Sequence, residues 1–123
     1  MRTSAAIGGV AAGDGVAYDS GLVARVEDAL ASLGERAVRQ KNVFGGRGFL
    51  IGSSTFVIVF DEDLIVKTPP ADYPALLREP GVTPFAPGDE KPMSTWVVVQ
   101  SDAIADDPEL GEWIGRALRA VRK

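Results

Sequence analysis

The clearest pattern of apolar and polar positions lies between Val43 and Lys67, VFGGRGFLIGSSTFVIVFDEDLIVK. Three apolar runs, Phe49–Ile51, Phe56–Phe60 and Leu64–Val66, are separated by Gly52-Ser53-Ser54 and Asp61-Glu62-Asp63. Short runs rich in Val, Ile and Phe, punctuated by Gly or Asp clusters, predict an antiparallel meander. Phe56-Val57-Ile58-Val59-Phe60 has no polar residue, so both of its faces need cover and it is expected at the centre of the sheet. Gly52-Ser53 suits a two-residue type II′ hairpin, in which glycine supplies the positive φ. Gly45, Gly46 and Gly48 predict a bulge or a close backbone approach where the chain joins the sheet.

The flanking segments change period. Asp19 or Ser20 caps a helix to about Leu33, with Leu22, Val26, Ala29, Leu30 and Leu33 on one stripe and Gly34 at its C-terminal cap. Arg36–Asn42 reads as a polar first strand at an edge. After the meander, Pro69-Pro70 stops the chain, and residues 71–79 predict a short helix with Pro74 in its first turn. Val82–Lys91 is loop-like, anchored by Phe85. Thr95–Gln100 is the last strong strand, with Trp96 expected in the core. Asp107 caps a final helix, with Pro108 first and Leu110, Trp113, Ile114, Ala117, Leu118 and Val121 as its stripe. Its Gly111 and Gly115 form a GxxxG spacing, which carries little meaning outside a membrane.

These elements predict an α+β fold of two layers, one antiparallel β-sheet with helices on one side. The expected order is α-β-β-β-β-α-β-α, with room for one extra short strand. Val57, Val59, Ile65, Val97 and Val99 are assigned to one face of the sheet. A one-layer sheet needs cover on both faces, so a homodimer through the helix-free face or a strand edge is an expectation of this architecture.

Composition then removes most chemistry. The 123 residues contain no Cys and no His. That excludes thiol nucleophiles, thiolate metal sites, imidazole bases and Ser–His–Asp triads. No catalytic residue, cofactor site or metal site is assigned. Asp61-Glu62-Asp63 is either a solvated turn or a Mg²⁺ or Ca²⁺ site, and it lacks the spacing of an EF-hand loop. A net charge of −4 disfavours nucleic acid and anionic membranes as partners of the whole surface. Residues 1–18, rich in Gly and Ala, read as a weakly ordered tail before a domain at 19–123. Gly8 and Gly9 interrupt the only run that resembles a secretory signal. No stretch reaches the roughly 20 apolar residues of a membrane span, and a cytoplasmic location is expected.

One local excess of charge stands against the acidic background. From Arg36 to Arg47 there are four basic residues, Arg36, Arg39, Lys41 and Arg47, and no acidic one. This segment is either an edge strand protected from aggregation by charge or an acid- or phosphate-binding patch. Together with Lys67, these side chains form the candidate interaction surface. Phe44-Gly45-Gly46-Arg47-Gly48-Phe49 fits neither a P-loop nor a dinucleotide-binding turn, because a strand follows it. Arg47-Gly48-Phe49 matches only the start of an RNA-binding RNP1 pattern.

The succession of Val43-Phe44-Gly45-Gly46, Gly48-Phe49, Asp63-Leu64, Val66-Lys67, Asp72-Tyr73, Phe85, Lys91-Pro92-Met93-Ser94 and Leu110-x-x-Trp113 resembles the N-terminal domain of the TfoX/Sxy family. The likeness covers about residues 19 to 122. Val43 stands where that family usually has Met, and the Gly/Ala-rich leader is outside the pattern. The YjbR/MmcQ family has a similar layout but usually carries a His-containing loop, and this chain has no His. The resemblance implies a single antiparallel sheet with helices on one side. It also implies a non-enzymatic domain related to regulators of bacterial competence genes, with a protein partner such as a transcription factor or polymerase and no catalytic residues. Full-length competence regulators carry a second, helical domain, and here the chain is expected to stand alone without it. Two other readings stay open, a nucleic-acid-binding accessory domain using the 36–47 segment and a small carboxylate-based metal-binding domain.

Overall fold

In a computed structural model that describes residues 18–43, 45–86 and 95–122, the chain folds as two layers. The elements in order are α1 (Ser20–Ser32), β1 (Val38–Val43), β2 (Gly46–Ile51), β3 (Ser54–Phe60) and β4 (Asp63–Lys67). A 3₁₀ segment, Pro70–Asp72, then runs into α2 (Tyr73–Leu76), followed by β5 (Val82–Pro84), β6 (Trp96–Val99), a 3₁₀ turn at Ser101–Ile104 and α3 (Asp107–Val121). The six strands form one sheet in the order β1-β2-β3-β4-β6-β5, and every pairing is antiparallel. The all-apolar strand β3 is accordingly internal. The expected loop from Val82 begins instead as the short edge strand β5, where Val82 pairs with Val99 and Pro84 with Val97. Proline is tolerated there because an edge residue needs no donor on its outer side.

Cross-strand partners share a face, so the register assigns each side chain. Phe49, Val57, Val66 and Val97 lie in one row, and Val59, Leu64, Val99 and Val82 in the next. These residues form one buried cluster with Leu22, Val26 and Leu30 of α1, Leu76 of α2, and Leu110, Trp113, Ile114, Ala117 and Leu118 of α3. The helices therefore cover a single face. Each large side chain buried here contributes about 1.5–3 kcal/mol. Ile65 pairs with Ile58 and Val98 and belongs to the opposite face, not with Val57 and Val59 as the sequence pattern suggested.

The bulge falls elsewhere than at the glycines. Phe49 pairs with Val57 and Leu50 with Thr55, so Phe56 is the extra residue on β3. A bulge can send two successive side chains toward the same side. Phe56 and Val57 are both fully buried members of the helix-side cluster. The glycines serve close approach instead: a Cβ on Gly46 would stand 2.5 Å from the Val59 carbonyl oxygen. At the hairpin, Gly52 adopts φ +61.

The helix ends follow local chemistry. The Asp19 carboxylate accepts from the N–H of Gly21 at 2.7 Å and of Leu22 at 3.3 Å, and Gly34 turns the chain at φ +79. Leu33 lies one residue beyond α1 and is 49% exposed, so the stripe ends at Leu30. In α3 the N-cap is Asp106 rather than Asp107, and its side chain makes no capping bond. Asp107 is drawn sideways to Arg25 at 3.0 Å. Tyr18 bridges to Asp61 and packs on the core, while residues 1–17 lie outside the described residues.

Candidate functional site

The five candidate cations do not form one patch. Arg39 and Lys41 alternate with Val38, Gln40 and Asn42 on edge strand β1, and their partners Leu50 and Gly48 place them on the helix-free face. Lys41 is exposed, and Arg39, also exposed, donates to the Gly52 carbonyl across the hairpin. Lys67 lies on the same face beside Trp96, three strands from β1, about 14 Å at ordinary strand spacing. Its Nζ stands 6.0 Å from the Trp96 ring centroid, at the outer limit of a cation–π contact. Arg36 precedes β1 and is exposed.

Arg47 has a different role. It pairs with Asn42 and Val59 and so faces the helix side, where its Nε donates to Gln40 Oε1 at 2.9 Å and Nη1 to Asn42 Oδ1 at 3.2 Å. Gln40 Nε2 in turn donates to Glu27 of α1 at 2.7 Å. The guanidinium thus belongs to a chain of polar contacts that fastens α1 to β1 and β2. Linear sequence cannot separate it from Arg39 and Lys41, because only the strand register decides which side each one takes.

Between these cations, the centre of the helix-free face is already covered. Leu50, Ile58 and Ile65 are only 4%, 3% and 4% exposed, although they stand outside the helix-side cluster. This face does not need a second copy to bury its apolar centre. Trp96 is half-buried on this face rather than in the core; the core tryptophan is Trp113 of α3. Its fate was hidden because Trp96-Val97-Val98-Val99 is apolar on both faces, so the sequence gives no alternation to read.

The acidic turn disperses its carboxylates. Among the described residues no three acidic side chains converge as a metal would require. Asp61 takes the left-handed conformation at φ 55, while Asp63 Oδ1 accepts the Ser101 N–H at 3.1 Å and ties β4 to the turn before α3. Partial burial raises the Asp63 carboxyl above the usual aspartate range; the Ser101 bond opposes that shift, and the neighbouring Asp61 charge adds to it.

On the helix layer, Arg25 reaches across from α1 to donate to the carbonyls of Ile104 at 2.8 Å and Ala105 at 3.2 Å, besides pairing with Asp107. Arg116 stacks on Trp113 with its Cζ 4.5 Å from the ring centroid and lies 3.7 Å from Glu79, joining α3 to the segment after α2. The grip of Arg25 on Ile104 and Ala105 and the approach of Arg116 to Glu79 were missed in the sequence because those partners are far apart along the chain.

A family model described as the TfoX N-terminal domain matches residues 28–121. The chain belongs to that family. The match runs from the middle of α1 to the end of α3 and includes the whole sheet. Among curated proteins and solved structures, none matches this TfoX-type domain significantly. Among its described residues no helix is long and apolar enough to cross a membrane.

Proposed function

We propose that this TfoX-type domain is a non-enzymatic regulator of transcription that works in the cytoplasm through contact with another protein, without a cofactor. Family membership is the single observation that carries the reading, since founding members of the family regulate competence genes. The contact surface is the cationic margin of the helix-free face, Arg39 and Lys41 on β1 with Lys67 further across, together with Arg36, which is exposed just before β1. An acidic protein surface suits it better than a nucleic acid backbone. The whole chain carries −4, and Arg47, the fourth cation of the segment, is engaged by Gln40 and Asn42.

Deleting the gene in its host and complementing it with wild type or with Arg39→Glu/Lys41→Glu tests this reading. Transcript levels of DNA-uptake genes should shift on deletion, return with wild type and fail to return with the variant. Transcripts indifferent to the deletion would overturn it. Purified protein that bound DNA, with a logarithmic dependence of affinity on salt lost in the same variant, would favour the nucleic-acid reading instead.

A further inference from the structure

Leu33 is the most exposed large apolar side chain among the described residues. It stands between two depressions along the seam where α1 meets α3. The first, about 230 Å³, is lined by Arg25, Asp28, Asp107, Leu110 and Gly111 as well as Leu33. The second, about 440 Å³, is lined by Glu35, Gly115, Leu118, Arg119 and Arg122 on its other side. The hollows exist in part because two glycines one turn apart leave the α3 surface bare. A Cβ on Gly111 would meet nothing within 4 Å, and one on Gly115 would come no closer than 3.7 Å, to the mobile end of Arg119.

The charges of the seam are arranged in a particular way. Arg25 pairs with Asp107, and Arg122 pairs with Glu35. Asp28 and Arg119 are left with no ion-pair partner among the described residues. They lie in different depressions, one on each side of Leu33. The seam thus combines a protruding apolar side chain, a hollow on either side of it and opposite unmatched charges at its two ends. Such a surface is complementary to its own copy turned by half a revolution, which is the requirement for an isologous interface. Three acids and three arginines also make the seam neutral, so two copies that each carry −4 meet there without added local repulsion.

We propose that this chain forms a two-fold symmetric homodimer through the α1–α3 seam, with the two Leu33 side chains meeting beside the two-fold axis and each Asp28 facing Arg119 of the second copy. The helix-free face, its apolar centre already covered, stays outside the contact.

Sedimentation equilibrium on the full chain, from low to high micromolar concentration, tests the proposal. The mass should approach twice the 13.0 kDa of one chain. Leu33→Glu should return it to one chain with an unchanged circular dichroism spectrum, and Leu33→Ala should weaken association if the charged variant fails to fold. Asp28→Arg and Arg119→Asp should each weaken the dimer about tenfold or more, and the double swap should recover it. A single-chain mass throughout, a dimer indifferent to both Leu33 variants, or a double swap no tighter than the single ones would each overturn the proposal.

Discussion

Gly46 and Gly111 have the same side chain and opposite tolerance for a methyl group. At Gly46 an added Cβ meets the backbone of β3, which is held on both sides by the ladder and cannot yield. Gly46→Ala should destabilise by about 1–3 kcal/mol in urea unfolding, the usual cost of forcing atoms into a filled space. At Gly111 the space is open, and alanine improves helix propensity by up to about 1 kcal/mol. An equal effect at the two sites would show that the close approach of β2 to β3 is wrong. Asp63 gives a second test at this scale. Its carboxyl binds a proton more tightly in the folded chain than in the unfolded one, because burial and Asp61 outweigh the Ser101 bond. Its stabilising contribution is therefore complete at pH below the unfolded-state pKa and is lost as pH rises through the folded-state value. Asp63→Asn keeps an oxygen for Ser101, so it should raise stability near neutral pH and lose that advantage in acid. A gain of the same size at both pH values would contradict the cause given.

The elements were largely legible in the sequence, for physical reasons that also explain the exceptions. The meander could be read because Gly52 and the Asp61 turn break three apolar runs at strand-length intervals, and α3 because its stripe repeats over four turns. Leu33 escaped because it continues the helical spacing past the point where Gly34 ends the helix. The side of Ile65 escaped because the tight turn at Asp61-Glu62 pairs Phe60 with Asp63, so the face that each β4 residue takes follows from the hairpin register and not from spacing along the chain. The way the helix layer is tied together was not legible at all. Arg25 and the backbone it grips at Ile104 and Ala105 are separated by about two-thirds of the chain, and nothing local announces the contact. Arg25→Ala should cost about 1.5–3 kcal/mol, the scale of hydrogen bonds made by a charged donor. Asp107→Asn, whose side chain is 84% exposed, should cost less than about 1 kcal/mol, and salt should erase most of that. Unfolding curves in low and high salt distinguish the two. Equal costs would mean that the ion pair, not the backbone grip, holds α1 to the start of α3.

At the scale of the whole molecule, the two faces of the sheet differ in what they present. The helices bury one face of the sheet and offer the α1–α3 seam; the opposite face offers a cationic margin around an apolar centre that is already covered. The sequence located the cations of that margin but not their grouping, because strand register assigns Arg39 and Lys41 to one side and Arg47 to the other. The central claim is that this TfoX-type domain regulates transcription by binding a protein through that margin. It is tested most directly by quantitative mass spectrometry of the proteins that a tagged chain retains from its native host, with wild type beside Arg39→Glu/Lys41→Glu. The account predicts that a transcription factor or polymerase subunits are retained by wild type and lost by the variant. Retention of no transcription protein, or retention unaffected by the charge reversal, would contradict it.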